Sequence, residues 1–302
     1  MENDLKQTKY KLKKDSLFGY KYLDLPLKTD LKQFYKKKYY EKIRNEGEKR
    51  EAKLLSTEKE LRTKELQWLQ KTYFMDRLDI FTKYLSLNQK TILDIGCGTG
   101  EFLEFMKKSG WKVFGIEPSK EAFQIAKEKG ITVYNLTLEE FFAQRKKKSR
   151  FNAIVLAHVL EHILKPKETI MISKELLYPG GIICVEVPND FNQLQFFASK
   201  KTKKKNWWIA IPDHLNYFDF QSLGKLLKFY GFEILLKTTD FPMELFLLME
   251  NNYVDNPEIG KICHQKRINL ELSLPKELRR SLYSKLAEFG LGRQCIIYGK
   301  KL

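Results

Sequence analysis

The sequence lacks the features that mark several classes of protein. Its four cysteines are scattered and never occur as C-x-x-C, which argues against a zinc ribbon or a disulfide framework and fits a reduced compartment. No apolar run reaches the roughly 18 residues that a membrane-spanning helix needs, and residues 1–6 lack the apolar stretch of a signal peptide. We therefore expect a cytoplasmic protein without a membrane span.

Arginine is also scarce, although the chain carries a net charge of +17. Such a charge is typical of proteins that bind nucleic acid or an anionic membrane surface. Only ten of the 55 basic residues are arginine, however, and specific nucleic-acid sites depend on arginine for bidentate contacts. A solvated lysine-rich surface explains the charge equally well, so nucleic acid is a less favoured partner. The composition says nothing about the oligomeric state.

What the chain does contain is a regular alternation of apolar strands and helical segments from residue 91 onward. Strands separated by helices in this way predict an α/β fold, with a parallel sheet covered by helices on both faces. Right-handed crossovers are expected between the strands. The predicted strands are 91–95, 112–117, 131–135, 151–157, 182–187, 232–238 and 294–299.

The first predicted strand leads into a turn with three glycines at alternate positions, Gly96, Gly98 and Gly100. Glycine adopts positive φ and lets a ligand approach the backbone, and the helix that follows offers unpaired N–H groups. Asp94 lies on the strand just before the turn, where it can accept hydrogen bonds from a ligand amine. In the dinucleotide motif G-x-G-x-x-G the third glycine would fall at Glu101, so the turn argues against NAD.

The second predicted strand ends in an acid, Glu117, which in a doubly wound sheet can bind ribose hydroxyls. Together, the D-x-G-C-G-x-G turn and this acid resemble the class I S-adenosylmethionine-dependent methyltransferases. The resemblance implies a doubly wound, mainly parallel seven-stranded sheet, whose last strand is antiparallel and lies between the fifth and sixth. The implied cofactor-binding residues are Asp94, Gly96, Cys97, Gly98, Gly100, Glu117, Pro118, Thr137, Leu138, Ala157 and His158.

The resemblance also predicts three regions in the chain. The methyltransferase core comprises residues 86–240 and 294–302. A basic, mainly helical N-terminal extension covers residues 1–85, and a helical insertion covers residues 241–293 between strands six and seven.

The segment His158-Val-Leu-Glu-His162 matches H-x-x-E-H, a pattern of certain zinc proteases. Here it follows an apolar strand rather than lying within a helix, so we predict no metal. Many class I methyltransferases carry the similar H-x-L-E-H after strand four. By that resemblance Glu161 and His162 face the substrate or cap the next helix, and a purely structural role for His162 stays open.

A second candidate segment runs from Asp213 to Phe218 and resembles the H-L-x-Y-F segment of methyltransferases associated with sugars and cell-surface polysaccharides. His214 has the chemistry to remove a proton from an acceptor hydroxyl near neutral pH, although it also suits a structural hydrogen bond within the loop. Trp207 and Trp208 either stack on the acceptor or anchor the loop.

These features predict an enzyme that transfers a methyl group from S-adenosylmethionine to oxygen or carbon of a small-molecule or saccharide acceptor. The candidate catalytic residues are His214, His162 and Glu161. Alignment of the acceptor with the methyl group accounts for much of the rate enhancement of methyl transfer, so a catalytic base is not essential. The alternatives are an RNA methyltransferase and a non-catalytic module that binds the cofactor.

Overall fold

The computed structural model describes residues 11–24, 56–85, 90–145, 150–211 and 213–302, with side chains in the first long helix from residue 63 onward. Residues 1–10 and 25–55 of the predicted N-terminal extension therefore lie outside the described residues. The division of the chain into extension, core and insertion stays a prediction.

From residue 91 to residue 238 the described strands and helices alternate along the chain as the sequence pattern predicts. The strands are β1 (Lys11–Lys14), β2 (Lys21–Asp24), β3 (Thr91–Ile95), β4 (Lys112–Ile116), β5 (Thr132–Tyr134), β6 (Phe151–Ala157), β7 (Leu177–Pro188), β8 (Asn216–Tyr217), β9 (Phe232–Thr238) and β10 (Gln294–Lys301). The α-helices are α1 (Ser56–Leu69), α2 (Met75–Tyr84), α3 (Glu101–Lys108), α4 (Lys120–Glu128), α5 (Leu138–Gln144), α6 (Pro166–Leu176), α7 (Gln193–Thr202), α8 (Phe220–Phe229), α9 (Glu244–Leu248), α10 (Pro257–Ser273) and α11 (Lys276–Glu288).

Seven of these strands form one sheet in the order β5-β4-β3-β6-β7-β10-β9. The first five are parallel, whereas β10 runs antiparallel to both of its neighbours, with Ile297 opposite Val185 of β7 and Lys237 of β9. The predicted fold class is therefore confirmed, including the place of the last strand.

Helices cover both faces of this sheet because its central strands, β3, β6 and β7, are mainly apolar and mostly buried. Successive side chains of a strand point to opposite faces. Ile154 of β6 accordingly packs in a cluster with Ile170 of α6, and its neighbour Val155 packs in a cluster with Phe81 of α2. All four side chains are fully buried, so the sheet is the middle layer of three.

A second, three-stranded sheet that the sequence analysis did not predict joins β1 and β2 to β8. The β1–β2 turn is held by the side chain of Asp15, which accepts hydrogen bonds from the N–H groups of Leu17 and Phe18. Lys21 lies opposite Tyr217 in the register with β8. This hairpin therefore pairs with the segment that contains His214.

A buried polar cluster joins the N-terminal helices to the C-terminal ones. The carboxylate of Glu271 on α10 accepts hydrogen bonds from the indole N–H of Trp68 on α1 and the hydroxyl of Tyr283 on α11, both at 2.6 Å. Arg267 pairs with the same carboxylate at 3.2 Å. Since every member is buried, these contacts hold α1, α10 and α11 together. A π-helical turn, Gln70–Phe74, separates α1 from α2.

Candidate functional site

The glycine turn lies at the carboxyl end of β3, where parallel α/β sheets bind ligands. Gly96, Gly98 and Gly100 all have positive φ, at 71°, 54° and 83°. A Cβ at Gly96 would lie 2.6 Å from Val159, whereas nothing lies within 4 Å of one at Gly98. The backbone at Gly98 is therefore open to a ligand, while Gly96 needs glycine for packing.

Cys97, between these two glycines, supports the turn rather than lining open space. Its thiol is buried beneath β4, where a Cβ added to Gly115 would lie 2.6 Å from Sγ. Burial raises the pKa of the thiol well above its usual value. The backbone N–H groups of Gly96 and Cys97 donate to the carbonyl of Ile116, at 2.8 and 3.1 Å, which fixes the turn against the end of β4.

Glu117 follows β4 directly and connects two loops. One carboxylate oxygen accepts a hydrogen bond from the N–H of Gly98 and the other from the N–H of Ser119, both at 2.8 Å. Burial raises the pKa of this carboxyl although both N–H groups lower it. Each oxygen keeps a second lone pair, so Glu117 remains able to accept hydrogen bonds from a ligand beside Gly98.

Asp94 is a buried carboxyl close to the turn. Burial raises its pKa to about 7, with Glu117 adding to the effect and the guanidinium of Arg77 opposing it. A positively charged ligand would reverse much of this shift, because an opposite charge favours the ionised carboxylate. Asp94 is thus suited to bind an amino group.

Arg77 and Glu186 are site residues that the sequence analysis missed. Arg77 of α2 and Glu186 of β7 form a buried ion pair, with side chains 8% and 3% exposed. Burial opposes ionisation of Glu186, but Arg77 and then His158 lower its pKa to about 2. The sequence does indicate that Arg77 is buried, since it shares one helical face with Phe74 and Phe81 at spacings of three and four. A cation on an otherwise apolar face indicates a buried partner.

His158 directly follows β6 in a left-handed conformation, with φ 55°. Its half-exposed ring lies between two carboxylates, with Nδ1 3.4 Å from Glu161 and Nε2 3.2 Å from Glu186. Burial lowers the imidazole pKa, but the two carboxylates outweigh it and raise the pKa to about 10. Arg77, Glu186 and His158 therefore form one charged series from α2 to the end of β6.

The two predicted histidine segments meet in space. His162 and His214 have ring centroids 5.0 Å apart, and the ring Nδ1 of His162 is 2.6 Å from the carbonyl oxygen of Asp213. The carbonyl of Glu161 accepts a hydrogen bond from the N–H of Leu215 at 2.7 Å. The structure thus brings all three candidate catalytic residues together.

Two polar atoms in this group have no hydrogen-bond partner among the residues that the structure describes, Oε2 of Glu161 and Nδ1 of His214. Burial lowers the pKa of His214 to about 4, so its ring is neutral at pH 7. Ligand atoms of Glu161, His162 and His214 lie within 4.8 Å of one another. The predicted absence of a metal stays an untested prediction.

The remaining predicted cofactor residues lie at the ends of β4, β5 and β6. The side-chain amide of Asn135 donates to the carbonyls of Glu117 and Pro118, which joins the Glu117 loop to the corner before α5. Thr137 caps α5 in a reciprocal pair with Glu140, and Leu138 is buried. Ala157 is partly buried at the last position of β6. Their contacts with a cofactor stay a prediction.

Comparison with known proteins identifies the family of the domain that carries this site. The family model described as "Methyltransferase domain" matches residues 66–237, which is more than half of the chain and includes the turn, Glu117 and both histidine segments. The chain belongs to this methyltransferase family. The matched span also includes Arg77, the last four residues of α1 and all of α2.

Curated relatives and solved structures agree with that assignment. A protein of Pasteurella multocida named "Ubiquinone biosynthesis O-methyltransferase" is 33% identical over 138 residues, 41% of this chain and 52% of that protein. A protein of Aromatoleum aromaticum with the same name is 32% identical over 128 residues, 40% of this chain and 54% of that protein. The chain therefore spans about half the length of the curated relatives that it matches.

A crystal structure described as a SAM-dependent methyltransferase from Archaeoglobus fulgidus has a TM-score of 0.50. It covers 75% of this chain and 92% of its own, at 21% identity, and so shows a shared fold. Within the part of the chain that the structure describes, no helix is long and apolar enough to cross a membrane.

Proposed function

We propose that the protein transfers a methyl group from S-adenosylmethionine to an oxygen of a small-molecule or saccharide acceptor. The observation that carries this proposal is the hydrogen bond between Glu117 and the N–H of Gly98, beside the buried Asp94, in a methyltransferase-family domain. The names of the relatives favour oxygen over carbon as the methylated atom.

The polar and charged groups at the turn fit the cofactor. Space at Gly98 that a Cβ would fill admits a ligand against the backbone. We assign Glu117 to the ribose hydroxyls, Asp94 to the amino group and Arg77 to the carboxylate of the methionine portion. Each pairing satisfies a charge or a hydrogen bond, and the adjacent ion pair of Arg77 with Glu186 fixes the guanidinium in place.

The acceptor is assigned to the space beside Glu161 and His214. Because the His214 ring is neutral, Nδ1 can accept a hydrogen bond from an acceptor hydroxyl, and Oε2 of Glu161 provides a second acceptor atom. S-adenosylmethionine, when bound, supplies an electrophilic methyl group on a neutral leaving group. The residues orient the attacking oxygen and accept its proton as the new bond forms.

Isothermal titration with S-adenosylmethionine, its demethylated product and NAD tests the cofactor assignment. We expect binding of the first two ligands and none of NAD. A tight NAD isotherm, or no heat with S-adenosylmethionine at millimolar concentration, would overturn the proposal. Transfer of a labelled methyl group to a panel of phenols, vicinal diols and sugars then identifies the acceptor class, and binding without any turnover would indicate a non-catalytic module.

A further inference from the structure

The helix α7 presents an apolar and basic surface outside the candidate site. Phe196 and Phe197 are 47% and 58% exposed, and Met249 beside the neighbouring helix α9 is 58% exposed. Exposed lysines follow the two phenylalanines along the chain. We call this set the α7 surface, and its members are Phe196, Phe197, Met249, Lys200, Lys201, Lys203, Lys204 and Lys205.

The α7 surface is held firmly in this orientation. Asn192 and Gln195 form a reciprocal cap at the start of the helix, and the Asn192 amide donates to the carbonyl of Asn189 at 2.8 Å. The ammonium of Lys201 donates to the carbonyl of Leu248 at 2.6 Å, which joins α7 to α9. The opposite face of α7 buries Gln195 and Ala198, so the two phenylalanines cannot turn inward without unpacking the helix.

The charge on this surface has one sign. Residues 193–208 contain five lysines and no acidic residue. Lys201 and Lys204 pair with Glu250 and Asp255 at 3.4 and 2.7 Å, but exposed pairs of this kind are weak. Lys200, Lys203 and Lys205 make no salt bridge to a described residue, so most of the positive charge is available to a partner.

We propose that the α7 surface binds the surface of an anionic phospholipid bilayer. Exposed aromatic side chains beside a cluster of lysines are the pattern of interfacial helices, in which the rings enter the headgroup boundary and the ammonium groups meet lipid phosphates. RNA fits less well, because the chain has no arginine between positions 150 and 267 and Met249 offers no ring for a base. Scattered exposed apolar residues need no explanation, but adjacent ones on a basic helix do.

The α7 surface is continuous with the candidate acceptor site through a series of aromatic rings. Ring centroids are 5.8 Å apart for Phe196 and Trp208, 5.7 Å for Trp208 and Phe191, and 6.1 Å for Phe191 and Tyr217. Tyr217 lies 6.2 Å from the ring of His214. A bilayer bound at α7 would therefore lie at the outer end of a series of rings that leads to His214.

Flotation of the full chain with vesicles tests the proposal. We expect binding to vesicles of phosphatidylglycerol and phosphatidylcholine, little binding to phosphatidylcholine alone, and loss of binding at high salt. The double variant Phe196→Ser/Phe197→Ser should weaken partitioning of the protein onto anionic vesicles about tenfold or more, because less apolar area enters the bilayer. Its matched control is Phe289→Ser, since Phe289 directly follows another helix, α11, and is 77% exposed.

Replacement of the unpaired lysines tests the electrostatic part. The triple variant Lys200→Gln/Lys203→Gln/Lys205→Gln should lower binding to anionic vesicles roughly 100-fold. The control variant Lys120→Gln/Lys127→Gln/Lys228→Gln removes the same charge from exposed positions on other helices and should change binding little. Circular dichroism of every variant verifies that the fold is intact.

Equal losses of vesicle binding in the α7 lysine variant and its control would show that only net charge matters, and would overturn the proposal. The absence of flotation with anionic vesicles would overturn it as well. Tight, salt-sensitive binding of RNA that is lost in the lysine variant, with no binding to vesicles, would assign the surface to nucleic acid instead. The test is independent of the proposed function, because flotation does not require turnover.

Discussion

The carboxylate of Glu117 accepts a hydrogen bond from the backbone N–H of Gly98, 19 residues earlier in the chain, at 2.8 Å. The bond connects the end of β4 to the glycine turn that follows β3. It fixes the open backbone at Gly98 beside a carboxylate that can accept further hydrogen bonds. In the proposed complex, one carboxylate both holds the turn in shape and binds the ribose.

Substitution of Glu117 tests that assignment. Hydrogen bonds to a charged group contribute on the order of 1.5–3 kcal/mol, so Glu117→Ala should weaken cofactor binding roughly 10- to 100-fold. The rate at saturating cofactor should change little, because the ribose does not react. Dissociation constants and saturated rates of Glu117→Ala and of the exposed control Glu121→Ala decide the matter. Unchanged affinity in Glu117→Ala would remove Glu117 from the site.

Two glycines with positive φ allow the cofactor contact at Gly98 to be separated from backbone strain. Gly98 and Gly110 have φ of 54° and 82°, and neither has an atom within 4 Å of an added Cβ. Gly98→Val should abolish cofactor binding because the side chain occupies the ligand's space, whereas Gly110→Val should bear comparable strain and still bind. Circular dichroism and calorimetry measure fold and binding. Normal binding by Gly98→Val would contradict the assigned position of the cofactor.

Cofactor affinity should depend on pH through Asp94. Its pKa of about 7 in the free protein means that the carboxyl is largely protonated at pH 6, and the cationic amino group binds the ionised form. Affinity should therefore rise about tenfold per pH unit below pH 7 and level off above it. Calorimetry from pH 5.5 to 8.5 gives the curve. A flat profile in the wild type would exclude the assigned pairing with the amino group.

The contribution of Asp94 to the stability of the fold should decrease with pH, whereas cofactor affinity should increase. The folded pKa of Asp94 lies above the value of about 3.9 in the unfolded chain, so the folded state binds more protons between these values. Its contribution to stability is present below pH 4 and is lost as the pH rises to 7. In urea denaturation, the unfolding free energy of Asp94→Asn should lack this decrease between pH 4 and 7. An identical decrease in the variant would show that another group binds the proton.

The ion pair of Arg77 with Glu186 should matter strongly to stability when it is broken. Removal of one member of a buried pair costs about 3–5 kcal/mol, because a buried charge remains unpaired, whereas replacement of both members costs less. We therefore expect Arg77→Met to destabilise the protein more than Arg77→Met/Glu186→Leu. The control is Arg280→Met, because Arg280 is 29% exposed and pairs with the partly exposed Asp76 and Asp79. Its loss should cost about 1 kcal/mol or less.

If the single and double variants proved equally unstable, the pair would not be coupled as the structure indicates. Denaturant titration monitored by tryptophan fluorescence provides the four unfolding free energies.

His214 should affect turnover rather than cofactor binding. Loss of a general base costs about 100-fold or more in rate, although a methyl transfer that depends mainly on alignment would lose less. His214→Ala should lower kcat at least tenfold with the cofactor dissociation constant unchanged. His264→Ala is the matched control, since His264 contacts Glu65 at 3.0 Å away from the turn. Equal rates in the two variants would exclude His214 from the reaction.

The pKa of His214 carries its own prediction. Because burial lowers this pKa to about 4, the folded state binds fewer protons than the unfolded chain between pH 4 and 6.5. The contribution of His214 to stability should accordingly rise with pH across that interval, opposite in sign to the contribution of Asp94, and His214→Ala should remove it. An NMR titration that places the His214 pKa near 6.5 would contradict the neutral ring.

Local sequence alone determined the glycine turn, the acid after β4 and the alternation of strands and helices. Each depends on neighbouring residues: only glycine adopts the turn conformation freely, an apolar run of five to seven residues suits a buried strand, and a polar residue after it lies at the carboxyl edge of the sheet. The same local reasoning found both histidine segments, and the resemblance placed β10 between β7 and β9.

Tertiary structure alone decided which of these groups meet. His162 and His214 come together because the 3-10 turn Leu160–His162 and the loop before β8 pack on each other, a contact with no signal in either segment. The β1–β2 hairpin pairs with β8, and its four-residue strands are too short and too lysine-rich to show a clear pattern. Arg77 reaches Glu186 across 109 residues of sequence. Local patterns specify conformation and burial, whereas the partner of a buried charge depends on how distant elements pack.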